Sequence, residues 1–261
     1  MESMFSEKRL NKYIDNNRFV LYLQPQVSLQ TGQIAGAQAS LRLETRSREL
    51  NIQEQSLVRL KKAGRFYLLE LHLLELVCGT LMRWSERQYS EEISMKICGN
   101  TLEREDIVTQ IQEIFCKYPG ADSKLRLQIC ETAEVKNWKR FYENCRHLRR
   151  MGTGLAIDSY GSENTESGVF HDAYFDEIHI DSELTDEMER RTMDYLKVSV
   201  MIDMCLDAGK RSVAENVNSE AQCSILKKLG CDFVQGEYAG RPVAAQDFER
   251  LYFDVPVKQV M

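Results

Sequence analysis

The sequence predicts an α/β barrel in which about eight strands close one sheet and the first two run antiparallel. Three observations predict it. The chain has 261 residues, a length that suits one such barrel. From residue 92 to residue 236, short strand-like runs alternate with longer helical stretches, the pattern of parallel strands joined by crossover helices. The first two strand-like runs, in FVLYLQPQVSLQTGQIAGAQASLRL, are separated only by a Thr31-Gly32 turn, which leaves room for an antiparallel pair alone.

In chain order, the opening hairpin is followed by helical signal over roughly 53–87, including RFYLLELHLLELVCGTLMRW. The strand EISMKIC (92–98) precedes NTLEREDIVTQIQEIFCKY, a charged segment with helical spacing. KLRLQIC (124–130) precedes TAEVKNWKRFYENCRHLRRMG, an amphipathic helix stopped by Gly152. TGLAIDS (153–159) follows that stop, and DEIHID (176–181) precedes a long helical run ending near Gly209. KRSVAE (210–215), a helix over NSEAQCSILKKLG and CDFVQG (231–236) complete the series. No linker rich in Pro, Gly or Ser divides the chain, so it reads as one domain.

Strands in an all-parallel sheet are usually apolar on both faces, and these are not. Ile93, Met95 and Ile97 alternate with Ser94, Lys96 and Cys98. Leu125, Leu127 and Ile129 alternate with Arg126, Gln128 and Cys130. Leu155 and Ile157 alternate with Gly154, Ala156 and Asp158, and Ile178 and Ile180 with Glu177, His179 and Asp181. Side chains alternate across a strand, so the apolar set faces the helices and the polar set lines the barrel interior or its mouth. Such a lining must be hydrogen-bonded, charge-paired or open to solvent and ligand. A half-exposed antiparallel sheet gives the same alternation, but the intervening helices argue against it. A catalytic barrel would place acids at the mouth of the second strand, where this chain has Gln38, the uncharged near-isostere of Glu.

Composition narrows the function classes. The net charge of −6, without a long basic block, argues against binding nucleic acid by phosphate neutralisation. No secretory signal and no membrane-spanning run is visible, and the eight cysteines include no CxxC pair, which points to reduced thiols in a cytoplasmic protein. Cys78, Cys116, Cys145 and Cys205 read as small core residues. His72 reads as a helix-face residue, and the Leu stripe around it as core or a dimer face. KRFYENCRHLRR (139–150) reads as a solvated basic helix face, with a partner surface as the alternative.

From about Phe19 to Pro242 the chain resembles the EAL family, the cyclic-di-GMP phosphodiesterase domain. YLQPQVSLQTGQIAGAQASLRL resembles the family's opening, in which a Gln-Pro pair precedes a Thr-Gly turn and then the Glu-Ala-Leu motif. GLAIDSYGS resembles the Asp-Asp-Phe-Gly-Thr loop, and EIHID the Lys-Ile-Asp strand. VAENVNSEAQCSILKKLGCDFVQGEYAGRP resembles the Ala-Glu-Gly-Val-Glu segment with the Gln-Gly and Arg-Pro that follow. The resemblance implies a modified TIM-type (β/α)8 barrel with an antiparallel first strand. Residues 1–18 then form an N-terminal helix, and 243–261 a C-terminal extension. With no attached cyclase or sensor, the domain is expected to stand alone.

The family's chemistry uses Mg²⁺ or Mn²⁺, hard cations that take oxygen ligands and activate a water. On the resemblance, the Glu ligand of Glu-Ala-Leu falls on Gln38, an Asn ligand on Lys96, a Glu ligand on Gln128 and the second Asp of the paired-Asp motif on Ser159. Asp158 is the one retained metal ligand among these. The Lys that assists the attacking water falls on His179, and the second Glu of the late segment on Asn218. Glu215 keeps the general-base position, Asp181 keeps its Asp, and Glu131 matches a Glu that props the loop after the fifth strand. Gln24, Arg42, Gln235 and the Gly240–Pro242 segment match nucleotide-binding positions, where Arg42 would meet a phosphate oxygen with its planar fork.

An ammonium at a metal position repels the metal. The expectation is therefore a domain without metal cofactor and without phosphodiesterase activity, with Glu215 idle. Two non-catalytic readings stay open. In one, the protein is a metal-independent cyclic-di-GMP receptor, with Lys96 and Arg126 supplying positive charge. The alternative for Lys96 within that reading is an internal salt bridge to Asp158 or Glu215 that closes the site. In the other reading, the domain acts on a regulatory protein partner. A homodimer is compatible with both, though the loop SYGSENTESGVFHD departs from the family pattern. The alternative function is a residual or altered metal-dependent phosphodiesterase. One form would be a zinc site from Cys98, Cys130, His179 and Asp158, which otherwise serve as small polar fillers.

Overall fold

The computed structural model describes Tyr13, Asn16, residues 18–44, 49–51, Val58 and 60–253. Most of the expected N-terminal helix and the end of the C-terminal extension thus lie outside the described residues.

Strand β1 (Phe19–Ser28) turns back through Gly32, whose N–H donates to the Ser28 carbonyl at 2.8 Å, into β2 (Ile34–Glu44). The short β3 (Glu49–Asn51) adds to the far end of β2. Then follow β4 (Glu92–Cys98), β5 (Leu125–Cys130), β6 (Gly154–Tyr160), β7 (Glu177–Ile180), β8 (Arg211–Ala214) and β9 (Phe233–Gln235). The order β1-β2-β4-β5-β6-β7-β8-β9 closes on itself because β9 pairs back with β1. Every neighbouring pair from β2–β4 to β8–β9 is parallel, and β1 is antiparallel to both its neighbours. This is the modified (β/α)8 barrel the sequence predicts. A last short strand, β10 (Val243–Ala244), pairs with Tyr22 and Leu23 of β1.

The helices around the sheet are α1 (Phe66–Glu86), α2 (Gly99–Leu102), α3 (Ile107–Lys117), α4 (Trp138–Arg150), α5 (Ser182–Glu187), α6 (Thr192–Ala208), α7 (Glu220–Leu229) and α8 (Ala245–Tyr252). Two expected helices are broken. The segment after β4 splits into α2 and α3 at Glu103–Asp106, where the Arg104 guanidinium pairs with Asp106. The run after β5 begins with a 3-10 turn (Thr132–Glu134), and α4 starts only where Asn137 caps it by accepting from the Arg140 N–H at 3.1 Å.

The two parities do what the alternation implies. The outward set, Ile93, Met95, Ile97, Leu125, Leu127, Ile129, Leu155, Ile157 and Ile178, is buried against the helices. The Leu stripe of α1 (Leu69, Leu73, Leu74, Val77 and Leu81) is core. Each such side chain contributes about 1.5–3 kcal/mol on full burial. His72 meets the Phe19 ring at 5.6 Å. Cys78, Cys145 and Cys205 are buried as expected, whereas Cys116 is exposed, on the solvent side of α3. The basic helix α4 buries Phe141, Cys145 and Leu148 and ties Arg149 to Asp176 at 2.7 Å.

The inward set begins with a charged floor at the N-terminal ends of the strands. Arg126, 6% exposed, contacts Glu92, Glu177 and Asp176, and Arg211 reaches Glu92 and Glu177 at 3.0 Å. Glycine at position 154 leaves room for it, because a Cβ there would lie 2.9 Å from the Arg126 guanidinium and push it from its partners.

Candidate functional site

The strands lift the remaining inward residues to the opposite, C-terminal end of the barrel. Parallel register sets Lys96 beside Gln128 and Cys98 beside Cys130, and the β1–β2 pairing sets Gln24 opposite Gln38. β6 contributes Asp158, β7 His179, and the end of β8 Glu215.

These side chains form one network. Lys96 Nζ lies 2.9 Å from Asp158 Oδ1 and 3.4 Å from Glu215 Oε2. The Gln128 amide Nε2 donates to Glu215 Oε1 at 2.7 Å and to Asp158. Gln38 Nε2 donates to Gln128 Oε1 at 2.6 Å and reaches Glu215 Oε1 at 3.3 Å. Gln38 Oε1 in turn accepts from Gln235 Nε2 at 2.8 Å. Gln235 also donates to Gln24 Oε1 at 3.1 Å and accepts from Gln26 Nε2 at 3.0 Å. A flipped Gln128 would set its carbonyl oxygen against two carboxylates, so their charge fixes the orientation. Both Gln38 and Gln128 thus turn their NH₂ groups toward the acids and spend their carbonyl oxygens on other glutamines.

Charge follows the contacts. Burial works against the Lys96 ammonium, but Glu215 and Asp158 outweigh it and hold its pKa above the usual lysine value. Burial also opposes the Glu215 carboxylate, yet Lys96, His179 and Gln128 hold its pKa well below 4.5. Asp158 moves the other way: burial and the nearby Glu215 charge raise it despite Lys96. His179 is fully buried between Glu177 and Glu215, its two ring nitrogens 2.9 Å from each. Burial lowers its pKa, but the two carboxylate hydrogen bonds prevail and raise it to about 9, so it is an imidazolium donating from both nitrogens. His179 links the charged floor to the mouth.

Above the network opens a cleft of about 990 Å³, lined by Lys96, Asp158, Ser159 and Asp181 among others. Asp181 caps α5 by accepting from the Glu183 N–H at 3.0 Å. Ser159 adopts φ 47°, and its carbonyl accepts from the Thr165 hydroxyl at 3.1 Å. Glu131 does not hold that loop with its side chain: its carboxylate takes Lys61 and the Cys98 thiol. The loop is held instead by Thr132, whose hydroxyl accepts from the Glu166 N–H at 2.8 Å, and by the Ala133 N–H donating to the Asn164 carbonyl at 3.2 Å. Asn218 is spent on a local turn with Asn216 and Glu237. The Arg42 guanidinium sits over the Tyr22 ring, 3.8 Å from its centroid. Cys98, Cys130, His179 and Asp158 do not converge: both His179 nitrogens are taken by glutamates, and among the described residues no group of three or more His, Cys, Asp or Glu is placed to hold a metal. Sequence reasoning missed Gln26 and Lys61. The parity of Gln24 could have revealed Gln26; Lys61 comes from a segment with no motif.

A closed barrel with one inverted strand and a polar, glutamine-rich mouth at the carboxyl ends of its strands defines the class of protein. The EAL domain family model matches residues 7–242, and the chain belongs to that family. It is 23% identical over 250 residues to the signaling protein YkoW of Bacillus subtilis, covering 96% of this chain and 31% of YkoW. It is also 23% identical over 235 residues to the cyclic di-GMP phosphodiesterase RocR of Pseudomonas aeruginosa, covering 90% of this chain and 60% of RocR. The chain spans about a third of the length of the first relatives it matches. Among solved structures, the PaMucR phosphodiesterase in complex with c-di-GMP superposes with TM-score 0.84 at 24% identity, over 92% of this chain and 98% of that one. The FimX EAL domain of Xanthomonas citri in complex with c-di-GMP superposes with TM-score 0.81 at 17% identity, over 91% and 92%. These likenesses establish the fold. The chain is an EAL domain related to c-di-GMP phosphodiesterases and signalling proteins. Among its described residues no helix is long and apolar enough to cross a membrane.

Proposed function

We propose that this chain is a catalytically silent EAL domain that acts by metal-independent binding in c-di-GMP signalling. The observation that carries the reading is Lys96 Nζ lodged between Asp158 and Glu215. The residues present do not fit the family's Mg²⁺ or Mn²⁺. A divalent cation would have to expel an ammonium from two acids and would meet amide N–H groups of Gln38 and Gln128 where it needs oxygen. Ser159 brings no charge. Glu215, tied to Lys96, His179 and Gln128, is held as a carboxylate of low basicity and does not suit a general base near neutrality.

The ligand that best suits the site is c-di-GMP itself, bound as a receptor binds it. Supporting this are the size of the cleft, the related structures solved with that nucleotide, and Gln24, Arg42 and Gln235 on the first, second and last barrel strands. Lys96 keeps 40% of its side chain exposed, and an ammonium with two acid partners has a third N–H to give a phosphate. A second reading, action through a protein partner, is favoured by one observation: the cleft lining carries nine acids against four cations, which disfavours a dianion. Met193, Leu196 and Val200, exposed along one face of α6, are where such a partner, a second copy included, would sit.

Calorimetric titration of c-di-GMP with and without Mg²⁺, beside a turnover assay in Mn²⁺, tests the proposal. Binding that ignores metal supports the receptor; no binding in either condition moves the function to a protein surface. Mn²⁺-dependent turnover would overturn the proposal.

A further inference from the structure

At the rim of the same cleft, Cys98 ends β4 and Cys130 ends β5, and parallel pairing sets their Cα atoms side by side. Neighbouring strands run about 4.8 Å apart, within the Cα separation a disulfide spans. Their sulfurs are 3.7 Å apart, in contact, so a change of side-chain rotamer brings them to bonding distance. Cys130 is partly exposed to the cleft, and Cys98 lies behind it, 1% exposed. The Cys98 thiol donates to Glu131 Oε2 at 3.3 Å, and the other oxygen of that carboxylate binds the Lys61 ammonium. The Glu131 carboxylate is therefore in place as an acceptor for the buried Cys98 proton, with the Lys61 ammonium bound to its other oxygen.

We propose that Cys98 and Cys130 form a reversible, peroxide-sensitive dithiol in the cleft wall. The Cys130 sulfur, as thiolate, attacks the terminal oxygen of a hydroperoxide, breaks the O–O bond and becomes a sulfenic acid, releasing water or an alcohol. Cys98 then gives its proton to Glu131 and attacks Cys130 Sγ. The S–S bond forms, the S–O bond breaks, and the hydroxide that leaves takes that proton as water. Two thiols have then lost two electrons and two protons to one peroxide, and an external thiol reverses the step. Closure removes from Glu131 its thiol donor and links the ends of β4 and β5 beside Lys96 and Gln128. The chemistry is independent of the phosphodiesterase positions and of any metal.

The arrangement fixes which oxidised thiol goes on to a disulfide. Cys116 is exposed and lacks a neighbouring thiol, whereas Cys130 has its partner in contact. The test is graded hydrogen peroxide treatment of the full chain, followed by non-reducing peptide mass mapping. The expected result is a Cys98–Cys130 cross-linked peptide, lost on adding dithiothreitol. In Cys98→Ser, the expected product is instead a dimedone adduct on Cys130. A thiol-labelling count that drops by two in the wild type but not in Cys130→Ser reads the same event without fragmentation. Oxidation confined to Cys116, or Cys98 and Cys130 both still free when Cys116 is fully oxidised, would overturn the proposal. Should either serine variant not fold, the wild-type map and the titration of one equivalent of phenylarsine oxide per chain decide it. Uptake of that equivalent at Cys98 and Cys130 supports the dithiol; its absence there counts against it.

Discussion

Lys96 Nζ sits 2.9 Å from Asp158 Oδ1, toward the carboxyl end of a strand whose other inward residues are Glu92, Ser94 and Cys98. The pair is the keystone of the mouth, because the same ammonium also reaches Glu215. Removing it leaves two buried carboxylates facing each other across Gln128. Breaking a fully buried pair costs about 3–5 kcal/mol, but Lys96 is partly exposed and solvent screens it, so Lys96→Met should cost about 1–3 kcal/mol. Urea denaturation near pH 7 measures this. Adding Asp158→Asn should recover part of the loss.

The His179 bridge makes stability depend on pH. Its folded pKa of about 9 lies above the ordinary 6.5, so its contribution is complete below pH 6.5 and is lost as pH rises through 9. Glu215 has the opposite sign: its lowered pKa contributes above 4.5 and is lost as pH falls. The His179 and Glu215 contributions are therefore both complete between about pH 4.5 and 6.5. The alkaline loss attributable to His179 is of order 3 kcal/mol. Thermal melts from pH 5 to 10 should show it, and His179→Gln should flatten that limb.

Glu70 titrates against the fold. It is buried on α1, accepts from the Cys98 N–H at 2.6 Å and from the Thr101 hydroxyl, and burial outweighs those bonds to raise its pKa to about 7. The folded state holds this proton more tightly than the unfolded chain, so stability falls as pH rises from 4.5 through 7. Glu70→Gln keeps an oxygen for the Cys98 N–H and carries no charge. At pH 8 it should be more stable than the wild type by about 1–2 kcal/mol, or roughly 2–6 °C in Tm; at pH 5 the two should melt together.

The floor is a sterner test of the barrel. Arg126→Met leaves Glu92 and Glu177 to Arg211 and His179 and removes the buried guanidinium between them, which should cost about 1–3 kcal/mol in urea denaturation. Gly154→Ala should weaken the same ion pairs, since its Cβ would press on the guanidinium.

Metal affinity should be recoverable by reversing the charges. The wild type should give no heat with Mn²⁺ in calorimetry. The combined variant Gln38→Glu, Lys96→Asn, Gln128→Glu and Ser159→Asp supplies oxygen ligands at all four positions and should bind the ion. Wild-type binding of equal strength would sink the argument from Lys96.

Much of this protein was legible in its residues. The period-2 alternation of 93–98, 125–130 and 154–158 determined which side chains face the helices and which fill the barrel, because a strand leaves each side chain only two directions. The Thr31-Gly32 turn determined the inverted first strand. The charge character of positions 38, 96, 128 and 159 is likewise written in the chain. Other features depended on folding in three dimensions. That the α1 stripe is core and Cys116 is not could be decided only by what packs against each. That Lys96 takes Asp158 and Glu215 together, that Gln38 and Gln128 show their N–H groups to the acids, that Glu131 serves Lys61 and Cys98, and that two cysteines 32 residues apart touch are all outcomes of strand register and barrel closure. The physical reason is range. Local sequence sets the direction of each side chain from its own backbone, while hydrogen bonds and ion pairs across the barrel depend on which residues closure brings to the same height.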